Sequence, residues 1–281
     1  MLAPGLILLS IFVIYPFIIA LYRSFTNYSA YEKNIDFVWF DNYVRILNDE
    51  RFFHSIRNVI ILTLIYTFFM FVLSFLFALV VKQLSKKMAS FTKIVCYIPS
   101  LLSGIILSVI FIFIFSNNGL VNAFRVSSGM DRIVFEQDGI YPYLIIVLPM
   151  LWGGFCYNMI VMLAGLLNIP KDYYEAAMID GANGFQKLCY ITLPNMKNYF
   201  VLILVNLITS GLQMFELPMM MTGGGPLDMT LTPVLFMYWQ KNNPTLSEST
   251  VMAGSILIMI PIALINLLVF KLIKSEKSMD A

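Results

Sequence analysis

The sequence predicts an all-α, polytopic membrane protein with six transmembrane helices in a single domain that covers residues 1–281. Apolar residues make up 59% of the chain and charged residues only 12%, whereas soluble domains carry about 25% charged residues. Six apolar runs have about the 20 residues that a helix needs to cross a bilayer. The predicted spans are 2–21, 59–81, 94–115, 141–163, 198–220 and 249–270.

The first two spans differ in their flanking segments. No basic segment precedes the first span and no small-residue cleavage site follows it, so we do not expect a cleaved signal peptide. The polar, aromatic segment 23–57 comes next, and Asp41 predicts the start of a short helix through Leu47. The second span is uncharged and leads into a short basic loop with four lysines: Lys82, Lys86, Lys87 and Lys93.

Prolines and small residues interrupt three of the later spans, and such residues favour kinks or close helix packing. The third, fourth and sixth spans contain Pro99, Ser100, Ser103, Gly104, Pro149, Gly153, Gly154, Gly254 and Pro261. The fifth span leads into Thr222-Gly-Gly-Gly-Pro226, for which we expect a flexible turn at the membrane exit.

The segment 164–197, between the fourth and fifth spans, is predicted to form a helix, a glycine turn and a second helix. Pro170 suits the first helical turn, where its missing N–H is not needed. Gly181 is expected to stop the helix as a left-handed cap. Asn183 and Gln186 have the spacing of a capping box that opens the second helix. Pro194 is expected to kink or end that helix.

A family resemblance lies in the same segment. It resembles the EAA loop of permease subunits of ATP-binding-cassette importers, through Glu175-Ala176-Ala177-Met178-Ile179-Asp180-Gly181-Ala182. The form of this loop, with Ile191-Thr192-Leu193-Pro194, looks most like the sugar-importer branch, which includes the maltose-type permeases. Thr222-Gly-Gly-Gly-Pro226 and Phe40-Asp41-Asn42-Tyr43 are also similar to segments of sugar permeases. We call residues 164–197 the EAA loop.

This resemblance implies a cytoplasmic coupling helix between spans 4 and 5, seated in a cleft of an ATPase subunit. The residues expected to make this contact are Glu175, Ala176, Ala177, Asp180, Gly181 and Ala182. Small side chains there would allow close approach of another surface, and the two carboxylates offer charge. The alternative is an amphipathic surface helix that joins two membrane spans.

The resemblance also implies an assembly of several chains. These are a second, homologous permease subunit, two ATP-binding subunits and an extracellular substrate-binding protein. The sequence has no phosphate-binding loop, because its glycine cluster at 223–225 is followed by Pro and Leu. We therefore expect no enzyme activity and no cofactor in this chain, with ATP and magnesium bound by the partner ATPase.

Charge and histidine content exclude other partners. A net charge of +2 predicts no nucleic-acid partner, and a single histidine predicts no metal site.

Six spans place both termini on one side, and the N-in, C-in arrangement puts ten lysines inside, against two lysines and six arginines outside. We expect a multi-pass protein in the lipid bilayer of a bacterial or archaeal inner membrane.

Uncharged polar residues in the spans are candidates for a substrate pathway. Asn206, Ser210 and Gln213 follow i, i+4, i+7 spacing on the fifth span, and Glu216 lies nearby. Trp152 and Tyr157 lie on the fourth span. Amides, carboxylates and aromatic faces suit a hydroxyl-rich sugar. The alternative is that these groups hydrogen-bond to neighbouring helices.

The predicted function is that of a permease subunit in an ATP-driven, binding-protein-dependent carbohydrate importer. One alternative is a permease of the same family for a solute such as glycerol phosphate. We expect no basic residue deep in a span, which favours a neutral sugar. A second alternative is a stand-alone secondary carrier, which would require inverted repeats or intramembrane ion sites.

Overall fold

The computed structural model describes residues 3–29, 35–241 and 247–277, without the side chains of 269, 270 and 272–277. Its α-helices are α1 (Ala3–Leu9), α2 (Tyr15–Arg23), α3 (Asp41–Leu47), α4 (Glu50–Gln83), α5 (Lys86–Tyr97), α6 (Gly104–Phe115), α7 (Leu120–Ser127), α8 (Tyr141–Asn168), α9 (Lys171–Ile179), α10 (Gly184–Lys187), α11 (Leu193–Asn195), α12 (Lys197–Leu212), α13 (Glu216–Met221), α14 (Pro233–Gln240) and α15 (Glu248–Lys277). π-helical turns occupy Ser10–Ile14 and Leu188–Thr192, and a 3-10 turn occupies Ile98–Leu101. Within these ranges no β-strand forms, which confirms the all-α class.

Six helical segments are long and apolar enough to cross a membrane. They are Ala3–Arg23, Glu50–Gln83, Gly104–Ser127, Tyr141–Asn168, Lys197–Met221 and Glu248–Leu268. Their number agrees with the prediction, but their bounds differ from the predicted spans. Leu2, the first residue of the predicted first span, lies outside the described residues.

The second span begins earlier than predicted. Helix α4 starts at Glu50 because the Asp49 side chain accepts a hydrogen bond of 2.9 Å from the Arg51 N–H. His54, the single histidine of the sequence, lies on α4. The first turns of α4, from Glu50, therefore precede the apolar part of the helix that begins at Val59. The expected short helix at Asp41–Leu47 is present as α3, although Phe40 rather than Asp41 occupies its N-cap.

Two of the predicted spans are broken helices. The kink that the proline and small residues predict in the third span is present, because α5 ends before the 3-10 turn that contains Pro99 and α6 starts after the cap residue Ser103. The Ser103 hydroxyl accepts a hydrogen bond from the Ile106 N–H. The fifth span, Lys197–Met221, contains a break that the sequence analysis does not predict, because α12 ends at Leu212 and α13 begins at Glu216.

The core lies where α4, α8 and α12 pack together. Here glycines allow neighbouring helices to approach closely. A β-carbon on Gly211 would lie 2.6 Å from the Thr63 side chain of α4, and one on Gly154 of α8 would lie 2.8 Å from the Met70 side chain. A β-carbon on Gly165 would lie 2.7 Å from Tyr199 of α12. The predicted close packing at the small residues of the fourth span is thus present.

The end of the bundle away from the EAA loop is held together by buried hydrogen bonds from Asn42. Its side-chain N–H groups donate to the carbonyls of Ser24 and Thr26, at 2.8 and 2.7 Å. Its Oδ1 accepts from the Thr250 hydroxyl at 2.9 Å. One amide on α3 thereby joins the ends of α2 and α15.

The loop after α13 is also hydrogen-bonded internally, in contrast to the flexible turn expected from Thr222–Pro226. The buried Thr230 hydroxyl donates to the Gly225 carbonyl at 2.7 Å and lies 2.6 Å from the Thr222 hydroxyl. Asp228 forms a two-point ion pair with Arg51 of α4, with both distances at 2.8 Å. We call residues 222–231 the glycine loop.

Candidate functional site

The first helix of the EAA loop, α9, ends through local backbone hydrogen bonds. Gly181 has a φ of 79°, which confirms the predicted left-handed cap. The Gly181 N–H donates to the Met178 carbonyl at 3.1 Å, and the Ala182 N–H donates to the Ala177 carbonyl at 2.9 Å. These two bonds satisfy carbonyls that the helix leaves free, and they reverse the chain direction.

The second helix, α10, starts with the predicted capping box. The Gln186 N–H donates to Asn183 Oδ1 at 2.9 Å, and the Asn183 N–H donates to Gln186 Oε1 at 2.8 Å. A π-helical turn follows over Leu188–Thr192, and Pro194 lies in the first turn of α11. The chain then enters α12 after Met196, so the helical path changes just beyond the proline, as its position predicts.

The EAA loop presents an unusually apolar surface. No residue of α9 is buried. Ile179 is 87% exposed, and Phe185 and Tyr190 are 73% and 79% exposed. The predicted contact residues Glu175, Ala176, Asp180 and Gly181 are exposed, while Ala177 and Ala182 are half-buried. Large exposed apolar side chains next to small residues and two carboxylates suit docking of another protein.

Tyr174 links this surface to the membrane helices. Its hydroxyl lies 2.9 Å from the Thr192 hydroxyl, and its ring packs against the core cluster of α4, α8 and α12. The ammonium group of Lys82, in the last turn of α4, lies 4.7 Å from the centroid of the Tyr174 ring. A displacement of α9 would therefore change the contact between Tyr174 and Lys82 at the end of α4.

The polar residues of the fifth span lie on the surface of the bundle. Asn206, Ser210, Gln213 and Glu216 are all exposed in the isolated chain. Gln213 follows the last residue of α12, so the predicted common helical face is complete only for Asn206 and Ser210. Such groups on a membrane helix are stabilised by another protein chain or a water-filled cavity rather than by lipid tails.

A groove of about 370 Å³ lies between the end of α12 and the middle of α15. Its polar groups come from Gln213, Ser255 and Asn266, and its apolar wall from Ile258, Met259, Ile262 and Ala263. The Thr209 hydroxyl donates to Asn266 Oδ1 at 2.9 Å and joins the two helices beside the groove. Amide and hydroxyl groups on an apolar wall are suited to a solute that has hydroxyls and apolar faces.

The other predicted pathway residues lie elsewhere. The Glu216 carboxylate lies against Gly104 at the start of α6, where a β-carbon would overlap it. Trp152 lines a separate groove of about 480 Å³ between α4, α6 and α8, and its ring centroid lies 5.8 Å from that of Phe111. Residues lining that groove are Leu73, Phe77, Ile110, Phe111, Ile114, Leu148, Leu151, Trp152 and Phe155. Tyr157 is exposed on α8 and lines neither groove.

Comparison with known proteins identifies the family. A model of the family described as binding-protein-dependent transport system inner membrane component matches residues 83–275. The chain belongs to this family. Six apolar helices make it a multi-pass inner membrane component.

The curated relatives cover most of the chain. The permease protein SmoG of the sulfoquinovosyl glycerol transport system of Agrobacterium fabrum is 32% identical over 268 residues, which are 94% of this chain and 85% of the relative. The lactose transport permease LacF of Rhizobium radiobacter is 26% identical and is aligned over 98% of this chain and 93% of its own length.

A solved structure has the same fold. It is the crystal structure of a bacterial alginate ABC transporter in complex with an alginate pentasaccharide-bound periplasmic protein. The TM-score is 0.81 at 24% identity, and the alignment covers 96% of this chain and 91% of the other. This similarity establishes the fold of the inner membrane component.

Three residues near these sites are missed by sequence analysis. Ser255 and Asn266 line the groove on α15, and their separation of 11 residues, three helical turns, is a signal that could have indicated a shared face. Tyr174 is not marked by any local pattern, because its partner Thr192 lies 18 positions away.

Lys93, which the sequence analysis places in a short basic loop, lies on α5 in the structure. Its backbone carbonyl accepts a hydrogen bond of 3.5 Å from the thiol of Cys156 on α8. This contact joins α5 to α8.

Proposed function

We propose that this inner membrane component is the permease subunit of an ATP-driven, binding-protein-dependent carbohydrate importer. It would form one half of a translocation pathway with a second, homologous permease chain. Two ATP-binding subunits would dock on the EAA loop on the cytoplasmic side, and an extracellular binding protein would deliver the sugar. Both termini would then lie in the cytoplasm of a bacterial or archaeal cell.

The observation that carries the carbohydrate assignment is the groove between α12 and α15. Two amides and a hydroxyl, from Gln213, Asn266 and Ser255, line a groove whose other lining residues are apolar. Amides can donate and accept hydrogen bonds, as sugar hydroxyls do, and the apolar wall suits the C–H faces of a sugar ring. Sulfoquinovosyl glycerol and lactose, which name the systems of SmoG and LacF, support the same substrate class.

The EAA loop supports the proposed ATPase contact. It has exposed apolar side chains, a left-handed glycine turn and a direct connection through Tyr174 to α4. ATP-driven closure of the ATPase subunits would move α9. The Tyr174 contacts with Lys82 and Thr192 would transmit this movement to the end of α4 and to the π-helical turn that precedes α11 and α12.

The test uses the assembled transporter in proteoliposomes, with its binding protein and a panel of labelled sugars. Gln213→Ala and Asn266→Ala should reduce uptake about tenfold or change the preferred sugar, since each removes a hydrogen-bonding group from the groove. Gln83→Ala, which removes an exposed amide at the end of α4, serves as the matched control and should transport normally.

Three results would contradict the proposal. Wild-type uptake and preference in both groove variants would place the sugar path elsewhere. Transport of glycerol phosphate with no sugar transported would replace carbohydrate by the other solute class. ATP hydrolysis or high-affinity ATP binding by the purified chain alone would contradict the assignment of ATP to a separate subunit.

A further inference from the structure

The corner between α4 and α5 concentrates positive charge without acidic residues close in sequence. Lys82 lies in the last turn of α4, and Lys86 and Lys87 open α5. No Asp or Glu occurs in the sequence from 51 to 130. Lys86 and Lys87 are exposed, and neither forms an ion pair within the described ranges. We call Lys82, Lys86 and Lys87 the basic corner.

The basic corner lies at the end of the bundle that carries the EAA loop. Helix α4 runs beside α8, with the Ser74 hydroxyl donating to the Phe155 carbonyl at 3.5 Å. Its last buried apolar residue, Val81, directly precedes Lys82, whose ammonium group lies over the Tyr174 ring. The lysines therefore follow directly after the apolar part of a membrane helix, where lipid headgroups meet water.

Helix α5 has two different faces. Ala89 and Cys96 pack against the core cluster. On the other side lies a row of exposed apolar residues at helical spacing: Met88, Phe91, Val95 and Ile98. This row starts next to Lys87 and continues past the 3-10 turn through the exposed Leu101 and Ile105 towards α6. It thus joins the corner to the apolar surface of the third span.

We propose that the basic corner binds the phosphate groups of anionic phospholipids, with the apolar row of α5 against their acyl chains. The pattern of cations beside an exposed apolar face is that of a helix at a membrane interface. An acidic protein surface would match the lysines, but it would leave the adjoining row from Met88 to Ile98 without an apolar environment. Because Lys82 contacts Tyr174, a lipid bound here lies next to the EAA loop.

The first experiment titrates phosphatidylglycerol, against phosphatidylcholine, onto the purified full-length chain and counts bound lipids by native mass spectrometry. A lysine near an anionic membrane surface contributes about fivefold in affinity, so Lys86→Gln/Lys87→Gln should weaken phosphatidylglycerol binding roughly 25-fold. Lys86→Arg/Lys87→Arg should retain it. The matched control, Lys171→Gln/Lys187→Gln, should also retain it, because Asp172 and the other EAA-loop carboxylates already offset those charges.

A second measurement needs no substitution. The wild-type chain is placed in nanodiscs of either phosphatidylglycerol or phosphatidylcholine, and its lysines are acetylated with a water-soluble reagent. Lys86 and Lys87 should react several-fold more slowly in phosphatidylglycerol, whereas exposed Lys171 should not change. Equal reactivity in both lipids would overturn the proposal.

Two further outcomes of the variant experiment would also overturn it. Unchanged preference for phosphatidylglycerol in Lys86→Gln/Lys87→Gln would mean that these lysines only orient the chain during insertion. Unchanged lipid binding with loss of ATPase co-purification would assign the corner to a protein contact. Neither result would bear on the carbohydrate groove, which is tested by uptake.

Discussion

The loops at the two ends of the helical bundle differ in their internal hydrogen bonds and in their exposed apolar side chains. The glycine loop satisfies its polar groups within itself and through Arg51 and Asn58 of α4. The EAA loop makes its turns locally but leaves Ile179, Phe185 and Tyr190 exposed.

From this difference we expect the EAA loop to need another chain to cover its apolar side chains. The glycine loop makes its hydrogen bonds within the chain and so holds its shape without a partner, although its tip residue Leu227 is exposed. The turns of the EAA loop are also formed within the chain, so less conformational entropy would be lost if a partner docked on its exposed apolar side chains. Substitutions at the EAA loop should therefore affect association, and those at the opposite end should affect stability.

The largest effect is expected at Gly181. Gly181→Val places a β-branched residue at a φ of 79°, where a side chain costs about 1–2 kcal/mol. The α9 turn should change shape, so ATPase co-purification and sugar uptake should fall at least tenfold while expression stays normal. Gly184→Ala is the matched control, because this glycine also has open space around it but lacks a positive φ.

Glu175→Lys tests the same surface through charge rather than backbone shape. Glu175 is exposed, so its reversal should leave the fold intact and weaken only a charge-complementary contact. Normal uptake and full co-purification in both Gly181→Val and Glu175→Lys would show that the EAA loop is a solvated surface helix. The exposed apolar side chains of the EAA loop would then not indicate a contact with an ATPase subunit.

A smaller effect on transport, but a clear effect on stability, is expected at Asn42. Asn42→Ala leaves the Ser24 and Thr26 carbonyls and the Thr250 hydroxyl without this partner, at a cost of roughly 2–4 kcal/mol. The melting temperature of the purified chain should fall by about 5–10 °C. Asn27→Ala, which removes one exposed hydrogen bond to the Asp36 N–H, should change it little. Equal melting of both variants would contradict the structural role of Asn42.

The smallest effect is expected for the ion pair between Arg51 and Asp228. Although the geometry is two-point, Arg51 is 58% exposed and solvent screens the attraction. Arg51→Gln should therefore destabilise the chain by only about 0–1 kcal/mol. A double-mutant cycle with Asp228→Asn, followed by thermal melting, measures the coupling. A coupling well above 1 kcal/mol would show that this pair clamps the glycine loop onto α4.

Features that depend on short stretches of chain could be predicted from the sequence. Six apolar runs give six membrane helices, because the bilayer sets the length of each run. The left-handed turn at Gly181 and the capping box at Asn183 were predictable, since their hydrogen bonds join residues no more than five positions apart. Family membership follows from the same local residues of the EAA loop.

Contacts between distant segments could not be predicted from the sequence, because they depend on how the helices pack. Pro99 and the small residues after it predicted the break in the third span, whereas no residue pattern predicted the break at 213–215 in the fifth span. Asn42 meets Thr250 from 208 positions away, Thr209 meets Asn266 from 57, and Tyr174 meets Lys82 across the EAA loop. Each contact requires two helices to pack first, and packing depends on the shapes of both surfaces. A single sequence lists those side chains but does not specify which of them face one another.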